Sequence, residues 1–257
     1  MAREKKKETT EFRGQLRRIG LSLCGVALIG GIAVYCLHRY AIHDPQFLLS
    51  HERRDWLTLD GLHYGSRAKV LRVFAQDVGR SVFSVPLDER RRRLLAIDWV
   101  DDAAVSRVWP DRLVVRIRER QPVAFVDVQS SVMLIDTQGM LLEPPPQAQF
   151  SFPVLSGIRD DDSQARRMEA VRALLTVEDE LGPRMKDVSE VNAADPSNIR
   201  ILAQLEGRVA ELILGDDNRA QRYENFLNHY AEIRKRSPEV RAFDLRLDDR
   251  ILAKEKE

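Results

Sequence analysis

Residues 103–118 read AAVSRVWPDRLVVRIR, a stretch in which two runs of β-type residues flank a tight turn. The pattern predicts one strand from Ala103 to Val108, a turn at Trp109-Pro110-Asp111, and a second strand from Leu113 to Arg118. In the second strand, apolar residues alternate with arginines, which is typical of a sheet with one face in water. This stretch therefore belongs to a small sheet with one buried face.

The residues before this stretch predict one strand and two helices. Trp56 to Leu59 alternate and stop at Asp60-Gly61, which indicates a short strand entering a turn. Apolar residues then recur at helical spacing after Ser66 and again from Pro86. The order strand, helix, helix, strand, strand predicts a small α+β domain. Four arginines, Arg90 to Arg93, fan around the second helix, so we expect them to form a solvated face.

From Gln121 onwards the sequence changes to short strands separated by turn signals, with two amphipathic helices that start near Ser163 and Asn218. The final strand signal runs from Phe243 to Asp248 and alternates apolar with charged residues. Because the chain stops soon afterwards, this strand is expected at a sheet edge, where free backbone groups can accept a partner strand. A strand paired internally and merely followed by charges is an equally good interpretation of the residues alone.

Membrane insertion is predicted at the N-terminus. Ile19 to His38 are twenty residues without a formal charge, and a helix of that length is roughly 30 Å long, which matches one bilayer span. Residues 1–18 carry seven Lys or Arg against three Glu, which places this end in the cytoplasm and the rest outside. A cleaved signal peptide is the main alternative, but no small-x-small site follows. Both cysteines, Cys24 and Cys36, lie inside the predicted span.

Catalytic and metal-binding motifs are not apparent. The sequence has no nucleophile elbow, no phosphate-binding glycine loop and no His-Glu-x-x-His pair. The three carboxylates at 160–162 precede a helix, where the helix dipole favours acids, and they lack the spacing of a calcium loop. The formal net charge is only +1, so no large basic field remains to attract nucleic acid. We expect no enzyme activity, no metal and no cofactor.

A family resemblance then appears. The run from Trp99 to Ala124 closely resembles the end of the POTRA domain of the bacterial cell-division family FtsQ, called DivIB in some lineages. Asp60 to Tyr64 looks like the opening strand and glycine turn of that domain, and Phe152 to Gly157 is similar to a second family motif. Phe243 to Arg246 resembles the closing Val-Asp-Leu-Arg motif of the family. The resemblance therefore covers essentially the whole chain.

This resemblance implies an α+β architecture with five segments. They are a basic cytoplasmic tail (1–18), a single transmembrane helix (19–38), a juxtamembrane linker (39–54), a βααββ POTRA domain (55–120) and a mainly antiparallel β domain with flanking helices (121–257). The resemblance also implies a non-catalytic scaffold of the divisome in the cytoplasmic (inner) membrane at the division site. Such a scaffold links early and late division proteins and binds FtsB and FtsL.

The resemblance further implies two contact sites. Val105 and Arg107 in the POTRA domain would recruit other divisome proteins. The FtsB/FtsL dock would lie on the last strand, over Phe243, Asp244, Leu245, Arg246, Leu247, Asp249, Arg250 and Ile251. This sequence has Leu247 where family members often carry an aromatic residue, and Asp248-Asp249 where they carry a glycine turn.

Two other functions are weighed against the scaffold. A POTRA-bearing secretion or outer-membrane assembly component normally continues into alternating strands of about ten residues, a pattern that does not follow here. A periplasmic cell-wall enzyme is the other alternative, and activity of the protein on peptidoglycan would support it.

Overall fold

A computed structural model describes residues 24–40, 44–50, 55–248 and 250–254, which form two compact units. The first unit contains the described residues up to Gly61 together with Arg67–Leu94 and Ala103–Ile117. The second unit contains Leu62–Ser66, Leu95–Asp102 and the described residues from Arg118 onwards.

The N-terminal predictions fall partly outside this description. The basic tail, the first five residues of the predicted span and Asp249 of the predicted dock lie outside the described residues. Residues 24–40 form a helix, here called α1. Among the described residues, no helix is both long enough and apolar enough to cross a membrane.

The first unit is built on a three-stranded sheet in the order β1-β3-β2. β1 (Leu57–Asp60) runs parallel to β3 (Arg112–Glu119), and β2 (Val100–Val108) is the other neighbour of β3. Helices α2 (Arg67–Phe74) and α3 (Leu87–Leu95) precede β2, so the predicted order of strand, helix, helix, strand, strand is confirmed. Apolar side chains from all these elements are buried, among them Val70, Phe74, Leu94, Leu113 and Val115.

The turn after β1 requires a glycine. Gly61 has φ +78°, and a Cβ at this position would lie 2.1 Å from the carbonyl oxygen of Ile117. The Asp60-Gly61 signal therefore marks a close approach of two backbones, which only glycine permits.

The arginine run on α3 is not uniformly solvated. Arg90 is buried, and its Nε and Nη2 donate hydrogen bonds of 2.6 and 2.7 Å to the carboxylate of Asp77, which is also buried. The expectation of a solvated face is therefore wrong at Arg90, because this side chain points inward to a carboxylate in the turn after α2. Arg93 does form the expected i,i+4 pair with Glu89 at the surface.

The second unit contains one nine-stranded sheet in the order β12-β11-β10-β9-β8-β7-β4-β5-β6. Five of its eight pairings are antiparallel, and β4–β7, β7–β8 and β10–β11 are parallel. The strands are β4 (Pro122–Val128), β5 (Ser131–Asp136), β6 (Leu141–Leu142), β7 (Val154–Ser156), β8 (Val188–Asn192), β9 (Ile199–Leu205), β10 (Arg208–Gly215), β11 (Ala242–Asp244) and β12 (Leu252–Lys254).

Two long helices complete the second unit. α4 (Gln164–Leu181) begins after Ser163, whose side chain accepts a hydrogen bond from the backbone of Arg166, as the sequence predicted. α5 (Arg219–Arg236) lies between β10 and β11 in the chain. Apolar residues of both helices share one core with the strands, including Leu174, Val177, Tyr223 and Phe226. The predicted α+β fold with a mainly antiparallel second part is confirmed.

Two of the stretches that carry the family resemblance meet within the second unit. The Glu119 carboxylate accepts hydrogen bonds from the backbone N–H groups of His63, Tyr64 and Gly65 at 3.0, 2.9 and 2.6 Å. Consecutive N–H groups aimed at one carboxylate form an anion-binding turn. Glu119, in the stretch from Trp99 to Ala124, thus stabilises the turn at residues 63–65.

Candidate partner-binding site

The final part of the sheet differs from the sequence prediction. β11 ends at Asp244 and lies between β10, to which it is parallel, and β12, to which it is antiparallel. Of the two interpretations of the final strand signal, the internally paired strand is therefore the correct one, and it spans only Ala242–Asp244. The chain turns back after β11 and adds β12 (Leu252–Lys254), which occupies the edge of the sheet.

Of the three alternating apolar residues Phe243, Leu245 and Leu247, only the first two lie in the core. Phe243 and Leu245 are buried in the main apolar cluster, and the Leu245 N–H donates a 2.9 Å hydrogen bond to Ile213. Leu247 is 46% exposed. Of the leucines predicted to contact a partner, Leu247 is the one on the surface.

Arg246 is already paired within its own strand segment. Its Nε and Nη2 donate hydrogen bonds of 2.9 and 2.6 Å to the two carboxylate oxygens of Asp244. These bonds hold the pKa of Asp244 below its usual range, although burial of the carboxylate acts in the opposite direction. The Arg246 side chain is nevertheless 48% exposed. A guanidinium has five N–H donors, and two of them serve Asp244, so the group can still meet a further acid.

The glycine-free turn after Leu247 is held by an arginine of α5. Arg222 is buried, and its Nε donates a 2.8 Å hydrogen bond to Asp248. The Nη1 of Arg222 donates to the Leu214 carbonyl at 2.8 Å, and Nη2 lies 2.7 Å from Asp217. The Arg250 N–H then closes the turn on the Leu247 carbonyl at 3.3 Å. The ion pair between Arg222 and Asp248 therefore stabilises this glycine-free turn.

A groove of about 390 Å³ lies between α5 and the segment that follows β11. Asn225, His229 and Ile233 line it from the helix, and Leu247, Arg250 and Ile251 line it from the segment. Apolar, polar and charged side chains therefore line the groove together. Four residues of the predicted dock, Leu245, Leu247, Arg250 and Ile251, are brought together here.

The edge strand beside this groove is exposed. Leu252, Ala253 and Lys254 are all on the surface, and among the described residues β12 pairs with β11. Its other side presents backbone groups that a further strand can join. The sequence carries no signal for β12, because the three residues Leu252–Lys254 are too short a run to show any periodicity.

The predicted POTRA contact residues lie on β2, at an edge of the three-stranded sheet. Val105 is half-buried. The Arg107 guanidinium donates hydrogen bonds to the carbonyls of Val82 and Val85 at 2.8 and 2.7 Å. Arg107 therefore fastens the edge strand to the short helical turn at Val82–Ser84.

Within the described part of the chain, no group of three or more His, Cys, Asp or Glu side chains is placed to hold a metal ion. The candidate surface for a partner is the exposed edge of β12 with the groove beside it.

Comparison with known proteins finds two family models that match this chain. A family model described as POTRA domain, FtsQ-type, matches residues 57–120. A second one, described as Cell division protein FtsQ/DivIB, C-terminal, matches residues 124–246.

Several curated relatives are similar over most of this chain. Cell division protein FtsQ of Koribacter versatilis is 33% identical over 241 residues, which cover 91% of this chain and 69% of that protein. Cell division protein FtsQ of Novosphingobium aromaticivorans is 30% identical over 229 residues, which cover 88% of this chain and 68% of that protein. Cell division protein FtsQ of Geotalea daltonii is 24% identical over 253 residues, covering 95% and 89%.

The fold and these matches together define a POTRA-bearing bacterial cell division protein. The chain belongs to the FtsQ/DivIB family.

Proposed function

We propose that this chain is a non-catalytic, single-pass membrane scaffold of the divisome, which binds FtsB and FtsL through its second unit. Membership of the FtsQ/DivIB family supports a role in cell division. The observation that carries the binding proposal is the exposed edge of β12, which lies next to a groove lined in part by Leu245, Leu247 and Ile251. A partner strand added to that edge would satisfy its backbone groups, while side chains of the partner would occupy the groove.

Three features of the dock support partner recognition. Leu247 and Ile251 offer apolar contact at the groove. Arg246 offers a half-exposed cation that is held in place by Asp244. Phe243 and Leu245 contribute indirectly, because they fix the segment to the core.

The membrane topology is part of this proposal. We propose that residues 19–38 span the inner membrane once, with 1–18 in the cytoplasm, 39–54 as linker, 55–120 as the POTRA domain and 121–257 as the β domain. Apolar side chains of α1 support this, because Val26, Leu28 and Ile29 are about two-thirds exposed, as lipid-facing side chains would be. The POTRA domain would recruit other divisome proteins at the β2 edge, around Val105 and Arg107.

Titration calorimetry tests the dock. The full chain in lipid nanodiscs is titrated with the periplasmic parts of FtsB and FtsL from the same organism, for wild type, Leu247→Glu and Arg246→Glu. We expect each substitution to weaken binding by about tenfold or more, because each places a carboxylate at the proposed interface. Arg200→Glu is the control for charge reversal, since Arg200 is 49% exposed, about as much as Arg246, and also lies near a carboxylate, that of Glu211 at 3.8 Å.

Equal losses in Arg246→Glu and Arg200→Glu would contradict the proposed dock, because they would show a general effect of charge. Full binding by Leu247→Glu would contradict it as well. Loss of binding confined to the dock variants, with unchanged thermal unfolding of Leu247→Glu, is the expected result.

A further inference from the structure

Four aromatic rings form a continuous patch in the first unit, and this patch is not explained by the partner dock. Trp109 contacts Phe83 and Phe47 edge-on, with ring centroids 5.0 and 5.9 Å apart. Phe47 in turn contacts Tyr40 at 6.1 Å, again edge-on. We call Tyr40, Phe47, Phe83 and Trp109 the aromatic patch.

The patch has a buried base and an exposed rim. Phe47 is 8% exposed, whereas Trp109 is 65% and Tyr40 is 54% exposed. The other two tryptophans of the protein, Trp56 and Trp99, are buried. Trp109 is thus held firmly from one side by two rings and offers most of its surface to the other side. Such an arrangement orients a large amphipathic ring towards something outside the protein.

The position of Tyr40 indicates what lies on that side. Tyr40 follows the uncharged stretch that ends at His38, with only Arg39 between them. Its carbonyl accepts a 2.9 Å hydrogen bond from Asp44, and its hydroxyl accepts one of 2.9 Å from Gln46. Tyr40 is therefore fixed to the first unit at the point where the chain would leave the membrane. Through Phe47, the same contacts connect it to Trp109.

We propose that the aromatic patch lies in the headgroup layer of the membrane and that Trp109, at the β2–β3 turn, is a second point of membrane contact. This inference rests on the proposed membrane anchor at residues 19–38. Tryptophan and tyrosine are the side chains that favour the boundary between headgroups and acyl chains. Since the anchor keeps the patch beside the bilayer, even a weak contact of one ring is populated.

A lipid surface is favoured over a protein partner by chain continuity. The rim residue Tyr40 lies two residues beyond the apolar stretch, so any bilayer that holds that stretch also borders the patch. A partner protein would have to enter between this surface and the membrane. The contact would fix the orientation of the first unit on the membrane, and with it the direction in which the β2 edge faces.

Tryptophan fluorescence tests this in the full chain, reconstituted in vesicles of phosphatidylethanolamine and phosphatidylglycerol. The Trp109 signal is the difference between wild type and Trp109→Phe, a substitution that keeps a ring against Phe47 and Phe83. We expect lipids brominated near the headgroup end of the acyl chain to quench this difference signal strongly and to leave Trp56 and Trp99 unquenched. Aqueous acrylamide should quench it several-fold less than it quenches free N-acetyltryptophanamide added to the same vesicles.

Flotation of the same vesicles separates failure of the contact from failure of the anchor. Protein that floats and resists alkaline extraction, but whose Trp109 remains open to acrylamide and insensitive to brominated lipid, overturns the inference and leaves the anchor intact. Protein that does not float overturns both. A Trp109 signal that is shielded from acrylamide without any quenching by brominated lipid indicates burial against protein, and it overturns the lipid assignment.

Discussion

Arg222 and Asp248 are joined by a 2.8 Å hydrogen bond, from Nε to a carboxylate oxygen, that ties helix α5 to the segment between β11 and β12. The same guanidinium also donates a hydrogen bond to the Leu214 carbonyl, near the end of strand β10. One buried arginine thus couples a helix, an internal strand and the approach to the edge strand. The placement of the proposed dock therefore depends on a residue that sequence comparison with the closing motif does not include.

Replacing Asp248 by Asn should loosen the edge strand. The amide keeps the shape of the side chain but removes the charge that faces Arg222, so residues 250–254 should exchange their amide hydrogens several-fold faster. The free energy of unfolding should fall by no more than about 1 kcal/mol, because the carboxylate is largely exposed. Hydrogen exchange followed by mass spectrometry measures the first effect and chemical denaturation the second.

Asp217→Asn is the matched control for this substitution. Asp217 and Asp248 bind the same guanidinium and are both 63% exposed, but only Asp248 belongs to the segment before β12. Exchange of residues 250–254 should therefore stay unchanged in Asp217→Asn. Equal acceleration in the two variants would show that the charge of Arg222, and not its link to Asp248, controls the edge strand.

Gly157 should resist substitution far more than Gly207, another glycine with positive φ. It has φ +84°, and a Cβ there would lie 2.4 Å from the backbone nitrogen of Ala194. Gly207 has a similar φ of +78° but no atom within 4 Å of such a Cβ. We expect Gly207→Ala to lower the free energy of unfolding by about 1 kcal/mol, from backbone strain alone. Gly157→Ala should cost on the order of 3 kcal/mol or more, because the clash adds to the strain.

Urea denaturation of the two variants under the same conditions gives the comparison. Equal losses in the free energy of unfolding would mean that the backbone around Gly157 can move to accept a Cβ. The presence of Gly157 in the family motif would then have another cause.

The buried pair of Arg90 and Asp77 should be far more sensitive to loss of one partner than to loss of both. Asp77→Ala leaves a guanidinium buried without its carboxylate, at a cost of about 3–5 kcal/mol. The double substitution Asp77→Ala with Arg90→Met removes both charges and should recover most of that loss. Thermal unfolding of the three proteins measures this. Glu89→Ala, at the exposed end of α3, should cost less than about 1 kcal/mol.

The contrast between Arg90 and its neighbours shows what could be predicted from the sequence. Periodicity correctly indicated α3 and the β2–β3 pair, because both depend on local alternation of side chains. It could not show that Arg90 alone turns inward, since that depends on Asp77, which lies thirteen residues away in a different turn. Long-range partners of single polar side chains leave no periodic signal.

The dock illustrates the same limit. The alternation at 243–248 correctly marks Phe243 as a buried strand residue, but it cannot reveal that the chain returns as β12. The three residues of β12 owe their strand conformation to pairing with β11 and not to their own pattern. The anchoring of the turn by Arg222 is likewise tertiary. The sequence therefore predicted a strand at Phe243, whereas the identity of the edge strand required the structure.

Tyr223 provides a test of burial without hydrogen bonding. The side chain is buried in the core of the second unit, and among the described residues its hydroxyl has no hydrogen-bond partner. Burial, with a smaller contribution from Asp187, raises the pKa of Tyr223 to about 12. Tyr223→Phe removes an unpaired polar atom, so at pH 7 the free energy of unfolding should stay constant or rise by about 1 kcal/mol.

The alkaline behaviour of this residue follows from the raised pKa. A group whose pKa is higher in the folded state stabilises the fold fully below its unfolded pKa of about 10, and this contribution is lost as the pH rises towards 12. Wild type should therefore lose stability on the order of 2 kcal/mol over that window, and Tyr223→Phe should be spared this loss. Tyr230→Phe, about two helix turns further along α5, should keep the alkaline loss of the wild type. The free energy of unfolding is measured for both proteins from pH 9 to pH 12. An equal fall with pH in wild type and Tyr223→Phe would show that the hydroxyl reaches water in the folded protein, contrary to its burial between α5 and the sheet.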